Sequence, residues 1–154
     1  ELGSTAIGQG QVVANSLQMA DVAATIAENG KRPIPTLELG RRPKFVRVTT
    51  PKIARQVEKL MVSVVEYGTG TKAALNGVKV AGKTGTAELG TASGEKGPDG
   101  EPTQNEKDTD AWFVAYAPIA KPRIAVGILL ANSGAGGDTA APAAAGVLLT
   151  ALKR

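Results

Sequence analysis

Two apolar runs joined by a very short link constrain this chain more than any other feature. Ala111-Trp112-Phe113-Val114-Ala115-Tyr116-Ala117-Pro118 and Arg123-Ile124-Ala125-Val126-Gly127-Ile128-Leu129-Leu130 are rich in β-branched and aromatic side chains. Only Ile119 to Pro122 fill out the connection, so the two runs read as a β-hairpin. Upstream, Val80-Ala81-Gly82-Lys83-Thr84-Gly85-Thr86-Ala87 reads as a third strand, with Val80 and Ala81 suited to burial.

Helical patterns flank these strands. Asn15 or Ser16 can cap a helix whose face is Leu17, Ala20, Ala23, Ala24 and Ala27, with Ile26 beside it, and Asn29-Gly30 is a stop signal. Thr50 and Pro51 open a longer one that runs to about Tyr67. Its Ile53, Val57, Leu60, Met61 and Val64 recur at helical spacing, and Gly68 ends it. An Ala-rich helix runs from Thr139 or Pro142 to Leu152, with Lys153 and Arg154 at the negative end of its dipole. The order helix, helix, three antiparallel strands, helix predicts an α+β fold, a meander sheet covered by helices.

The remaining segments read as connections. Gly8-Gln9-Gly10-Gln11 before Val12-Val13 suggests a turn into a short extended piece. Thr36-Leu37-Glu38-Leu39 and Phe45-Val46-Arg47-Val48 are short extended candidates in a Pro- and Gly-punctuated surface excursion. Gly68-Thr69-Gly70-Thr71 is a Thr-lined turn, since the Gly-Lys-Ser/Thr and following helix of a phosphate loop are missing. Asn132 to Gly137 is a Gly-rich turn. The polar run Glu88 to Asp110 is too long for an ordinary loop and starts beside the Lys83 strand, so it is placed to act as a rim or lid.

Composition removes several chemistries. The 154 residues suffice for one domain or a large part of a bigger one. They contain no Cys and no His, which excludes thiol nucleophiles, disulfides, imidazole bases and the Ser-His-Asp triad. Acid–base work falls to Lys, Asp, Glu or Tyr, and no metal or organic cofactor is expected. The net charge of +4 combines about −5 over Glu88 to Asp110 with about +9 elsewhere. Arg41, Arg42, Lys44 and Arg47 are not interleaved with aromatics, so they read as a solvated face and nucleic acid is not an expected partner. No run approaches the roughly 18 apolar residues of a membrane span, and no signal-peptide pattern opens the sequence.

Chemistry concentrates on the third strand. Lys83 brings an ammonium, Thr84 and Thr86 bring hydroxyls, and Gly82 and Gly85 let a ligand or another backbone approach closely. A strand edge so equipped can hold a carboxylate and a developing oxyanion. A Gly-interrupted edge strand with a solubilising lysine has the same local composition, so the strand alone supports either reading.

Lys83-Thr84-Gly85-Thr86, followed by Ala111-Trp112-Phe113-Val114-Ala115-Tyr116-Ala117-Pro118 and the second apolar strand, resembles the penicillin-binding transpeptidases. Ala6-Ile7-Gly8-Gln9-Gly10, Leu17-Gln18-Met19-Ala20, Gly68-Thr69-Gly70-Thr71 and the Ala-rich final helix fit the same family in the same order. The likeness is closest to the C-terminal half of the transpeptidase domain of the monofunctional, class B type. Of the family's S-x-x-K, S-D-N-like and K-T-G motifs, only the third is in place. Ser4, Ser16 and Ser63 have no Lys three residues on, and the accidental Ser93-Gly94-Glu95-Lys96 follows the strand inside a Gly-rich acidic run.

The resemblance therefore implies a fragment of one transpeptidase domain, with the serine nucleophile and its lysine on a preceding portion. It implies poor stability for this segment alone. It implies a D,D-transpeptidase that cross-links peptidoglycan stem peptides ending in D-Ala-D-Ala through a serine acyl-enzyme and is acylated by β-lactam antibiotics. Lys83 and Thr86 would serve catalysis, and Thr84, Gly85 and Thr86 would bind substrate. Trp112 would pack behind the sheet. Implied partners are the N-terminal portion of the domain and other cell-wall synthesis or division proteins, at the extracytoplasmic face of a bacterial cytoplasmic membrane. A serine β-lactamase or β-lactam sensor is an alternative of the same chemistry. A non-catalytic structural domain of a cell-wall complex is an alternative of another class.

Overall fold

The computed structural model describes residues 2–6, 8, 12–88 and 109–153. In chain order the elements are α1 (Leu2–Ala6), α2 (Ser16–Ala27), β1 (Lys31–Pro33), β2 (Phe45–Arg47), α3 (Pro51–Glu66), a 3-10 turn (Thr71–Ala73), β3 (Ala81–Glu88), β4 (Thr109–Ala117), β5 (Ile124–Leu130) and α4 (Ala140–Leu152). The expected α+β meander is present: β3, β4 and β5 pair antiparallel in that order. Lys83 lies opposite Val114, and Val114 lies opposite Gly127.

The sheet is covered on both faces, which is why β4 reads as an unbroken apolar run rather than an alternating one. Ala111, Phe113, Ala115 and Ala117 join Ala140, Ala141, Ala144 and Leu148 of α4. Val114 and Tyr116 point the other way and join Ala23 of α2 and Met61 of α3. Gly127 lets α2 lie directly on β5: a Cβ there would fall 2.3 Å from the Ser16 carbonyl oxygen. Tyr116, fully buried, donates its hydroxyl to Glu58 Oε2 of α3 at 2.5 Å.

That bond has a measurable consequence. Burial, and then the hydrogen bond and negative charge of Glu58, push the Tyr116 phenol far above its ordinary value. Above about pH 10 the unfolded chain releases this proton and the folded chain keeps it, so folding stability falls as pH rises. Denaturant unfolding between about pH 9 and pH 11 is expected to show this fall, reduced in Tyr116→Phe. At neutral pH that variant leaves a half-buried carboxylate short of a donor, at a cost of about 1–3 kcal/mol. An identical alkaline slope in Tyr116→Phe would show that the fall has another origin.

The helix caps form as their residues dictate. Asn15 accepts from the Gln18 N–H while Gln18 Oε1 accepts from the Asn15 N–H, a reciprocal capping box. Thr50 Oγ1 accepts from the Ile53 N–H ahead of α3, and Asn29 and Gly30 turn left-handed after α2.

Several expectations need correction. Residues 2–6 form a short helix, and Val12-Val13 belong to no strand. Thr36 to Leu39 is not extended pairing. Thr36 Oγ1 accepts the Glu38 N–H at 3.1 Å, and Leu37 and Leu39 are wholly exposed. Phe45–Arg47 is a strand, and it pairs with Lys31–Pro33. On α2, Leu17 is exposed and Thr25 is buried, its hydroxyl donating to the Asp21 carbonyl. On α3 the buried stripe is Ala54, Met61 and Val65, whereas Ile53 and Leu60, with Tyr67 just past the helix end, are exposed at seven-residue spacing. The predicted face was right in period and in its Met61, which is buried, and its Val57 and Val64, which are half-buried; only its Ile53 and Leu60 edge is exposed, with Ala54 and Val65 buried in their stead. The stretch 89–108, with its proposed rim and the Ser93–Lys96 match, lies outside the described residues, as do Gln9, Gly10, Gln11 and Arg154.

Candidate active site

β3 is an outer strand, so alternate peptide groups along it face away from β4. Its first residues are anchored, with Ala81 and Gly82 buried. Gly82 is obligatory for space, since a Cβ would stand 2.5 Å from the Phe113 ring. From Lys83 onward the strand emerges to solvent.

The pleat divides the four signature residues between the two faces of the sheet. Thr84 lies opposite Phe113, which belongs to the α4 side, and Thr86 shares that side. Lys83 and Gly85 lie on the other, opposite Val114 and Trp112. The Lys83 side chain thus leaves the strand on the opposite face from the two hydroxyls. Lys83 Nζ donates to the Thr84 carbonyl oxygen at 2.6 Å, along the exposed rim of the strand.

The threonines meet two loops. Thr84 Oγ1 and Thr69 Oγ1 are 2.7 Å apart. Thr86 Oγ1 accepts a long hydrogen bond, 3.4 Å, from the Gly136 N–H. Gly136 is pressed onto the sheet: a Cβ there would lie 2.2 Å from the Trp112 carbonyl oxygen and 2.3 Å from that of Gly85. Gly137 similarly abuts the Thr69 carbonyl oxygen, at 2.3 Å for a built Cβ. Lys72 and Asp138 close the arrangement with a 2.8 Å ion pair. The Gly68–Thr71 turn and the Gly-rich 132–137 turn, separate features in the sequence, are therefore one support under β3. Closely spaced glycines in each, Gly68 and Gly70 in one and Gly134, Gly136 and Gly137 in the other, were the available signal, because close backbone approach requires them.

Behind the strand, Trp112 is half-buried beside Gly85. It helps line an open cavity of about 280 Å³ with Gly8, Val12, Met19, Thr86 and Ala87. Among the described residues no group of three carboxylates comes together as a metal site, and no helix is long and apolar enough to cross a membrane.

An exposed cation, two hydroxyls on an outer strand and outward peptide groups suit an anionic ligand carrying a carbonyl. The comparisons with known proteins point the same way. The penicillin binding protein transpeptidase domain family matches residues 1–149. The peptidoglycan D,D-transpeptidase PbpA of Mycolicibacterium smegmatis is 36% identical over 169 residues, covering 99% of this chain and 32% of that protein. The peptidoglycan D,D-transpeptidase MrdA of Haemophilus influenzae is 34% identical over 160 residues, 94% of this chain and 25% of that one. The crystal structure of PBPA from Mycobacterium tuberculosis superposes with a TM-score of 0.78 at 33% identity, over 98% of this chain and 35% of its own. The ceftriaxone acyl-enzyme complex of the same protein gives 0.80 at 34%, with the same coverage. The chain spans about a third or less of the length of these relatives. With the Lys-Thr-Gly-Thr strand, the meander and the final helix in the family's order, the chain belongs to the penicillin-binding protein transpeptidase domain family.

Proposed function

We propose that this chain is the C-terminal, Lys-Thr-Gly-Thr-bearing portion of a serine D,D-transpeptidase domain, completed by a preceding portion that carries Ser-x-x-Lys. The observation that carries the reading is the position of Lys83–Thr86 on the outer strand of a three-stranded meander, where they can face an added surface. The names of the relatives, peptidoglycan D,D-transpeptidases, and the β-lactam acyl-enzyme complexes solved for one of them support it.

In this reading the serine Oγ attacks the carbonyl of a stem peptide ending in D-Ala-D-Ala. The tetrahedral oxyanion collapses, the C–N bond breaks, and D-alanine leaves as the amine with a proton from the site. The acyl ester is then attacked by an amine of a neighbouring strand, which forms the cross-link and frees the serine. A β-lactam follows the first step, opening its ring on the same serine. Lys83 supplies positive charge to the hydroxyl network and the terminal carboxylate. Thr84 and Thr86 hydrogen-bond that carboxylate, and Gly85 leaves room for the ligand along the strand. The Thr86 N–H is one oxyanion donor and the serine's own N–H the other. Such a donor contributes about 3 kcal/mol to the transition state. The reaction would take place at the extracytoplasmic face of a bacterial cytoplasmic membrane, among other cell-wall synthesis proteins.

Intact-mass spectrometry with a fluorescent penicillin tests this. The complete protein is expected to gain one penicillin on its Ser-x-x-Lys serine, and the 154-residue chain alone to gain none. An adduct on the isolated chain would move the nucleophile into it and overturn the assignment.

A further inference from the structure

We propose that Thr69 is a positioning residue for substrate recognition: its hydroxyl donates to Thr84 Oγ1 and so directs the Thr84 proton at the carboxylate of the bound donor. The proposal rests on the function given above and adds a residue from outside β3 to it.

The geometry is direct. The two hydroxyl oxygens are 2.7 Å apart, and either can donate. A carboxylate offers acceptors only, so Thr84 can bind one only by giving it its proton. Thr84 Oγ1 must then accept from Thr69. With the opposite polarity Thr84 would turn lone pairs toward the anion and repel it. A donated bond from Thr69 also polarises the Thr84 O–H, which strengthens the outward bond. Removing Thr69 leaves Thr84 free to rotate and unpolarised, with no loss of any group that touches the substrate.

Thr69 is held at this distance by backbone, not by the Thr84 bond alone. The Gly70 N–H donates to the Val64 carbonyl oxygen at the end of α3, at 2.9 Å. A Cβ on Gly70 would be 2.9 Å from the Phe113 ring, which fixes the turn against β4. On its other side the Thr69 carbonyl oxygen touches Gly137, and the 2.8 Å Lys72–Asp138 ion pair ties the two loops together. Thr69 therefore presents its hydroxyl to β3 from a fixed base, as pre-organised recognition requires.

The test compares acylation of the complete transpeptidase by two ester donors, one with a free terminal carboxylate and one with that carboxylate amidated. Thr69→Val, of similar shape, is expected to slow the carboxylate donor about tenfold and to leave the amidated donor within about twofold of wild type. Thr69→Ser should restore the carboxylate preference. Adding Thr69→Val to Thr84→Val should cost no further preference, because the relay is already broken. Equal losses with both donors would mean a structural role only and overturn the proposal. Additive losses in the double variant would overturn it as well, and that comparison stands even where Thr69→Val lowers stability. If the wild-type protein reacts with neither donor nor with penicillin, the transpeptidase reading itself fails and the proposal falls with it.

Discussion

Lys83→Ala in the complete transpeptidase is expected to slow acylation by penicillin about 10²- to 10⁴-fold while leaving the fold intact. The two halves of that expectation come from different facts. Lys83 is exposed on the outer strand, and its ammonium donates to the Thr84 carbonyl oxygen alone among the described residues. Within this chain Lys83 is exposed and makes that one hydrogen bond, so its loss shifts the stability of this portion by about 0.5 kcal/mol or less. In the assembled site, the same ammonium would lie between the serine hydroxyl network and the substrate carboxylate, where water is excluded and charge counts for far more than on the surface. Lys83→Arg keeps the charge but replaces a compact ammonium with a planar fork, so it should recover only part of the rate. Single-turnover acylation with a chromogenic cephalosporin, next to thermal melts, separates the two terms. Wild-type acylation in Lys83→Ala would remove Lys83 from the chemistry, and a melting shift of several degrees would mean that its packing had been misjudged.

How much of this was readable in the sequence depended on whether the determining interactions were local. The strands β4 and β5 were legible because both faces of β4 are buried and a short link joins them. The α3 start was legible because Thr50 and Pro51 act within one turn. The edge of the α3 face was not, because Ile53 and Leu60 satisfy the helical period as well as Ala54 and Val65 do. The choice between those stripes is made by β3, from outside the helix. Lys31–Pro33 was not legible as a strand because its three residues carry no apolar alternation and only pairing with β2 defines it, whereas Thr36 to Leu39 alternates like a strand but belongs to none. At the site, Lys83-Thr84-Gly85-Thr86 could be read as a chemical set. The division of that set across the pleat, and the two loops that support its hydroxyl face, required the register of β3 on β4 and the close approach at Gly136 and Gly137.

Gly136→Ala is expected to destabilise the protein by about 3 kcal/mol or more, at the upper end of the overpacking range. The obstacle is backbone on every side. The new methyl would begin 2.2 Å from the Trp112 carbonyl oxygen, 2.3 Å from the Gly85 carbonyl oxygen and 3.1 Å from the Gly85 nitrogen. None of these can rotate away as a side-chain tip would, because Gly85 and Trp112 are paired across β3 and β4. The loop must lift instead. Lifting it stretches the already long Gly136 N–H bond to Thr86 and pulls on the Gly136 carbonyl oxygen, which accepts the Ala141 N–H in the first turn of α4. Stability and site geometry should therefore fail together, with acylation falling by more than the loss of folded protein accounts for. Gly146→Ala is the matched comparison of opposite sign. A Cβ at Gly146 meets nothing within 4 Å, and the residue sits inside α4. The same substitution there should stabilise the helix by about 0.5–1 kcal/mol, since it lowers the entropy lost on ordering the backbone. Denaturant unfolding of both variants, with penicillin acylation of the folded fraction, decides the point. A Gly136→Ala protein as stable and as reactive as wild type would mean that the 132–137 turn does not bear on the sheet, and the support assigned to β3 would have to come from elsewhere.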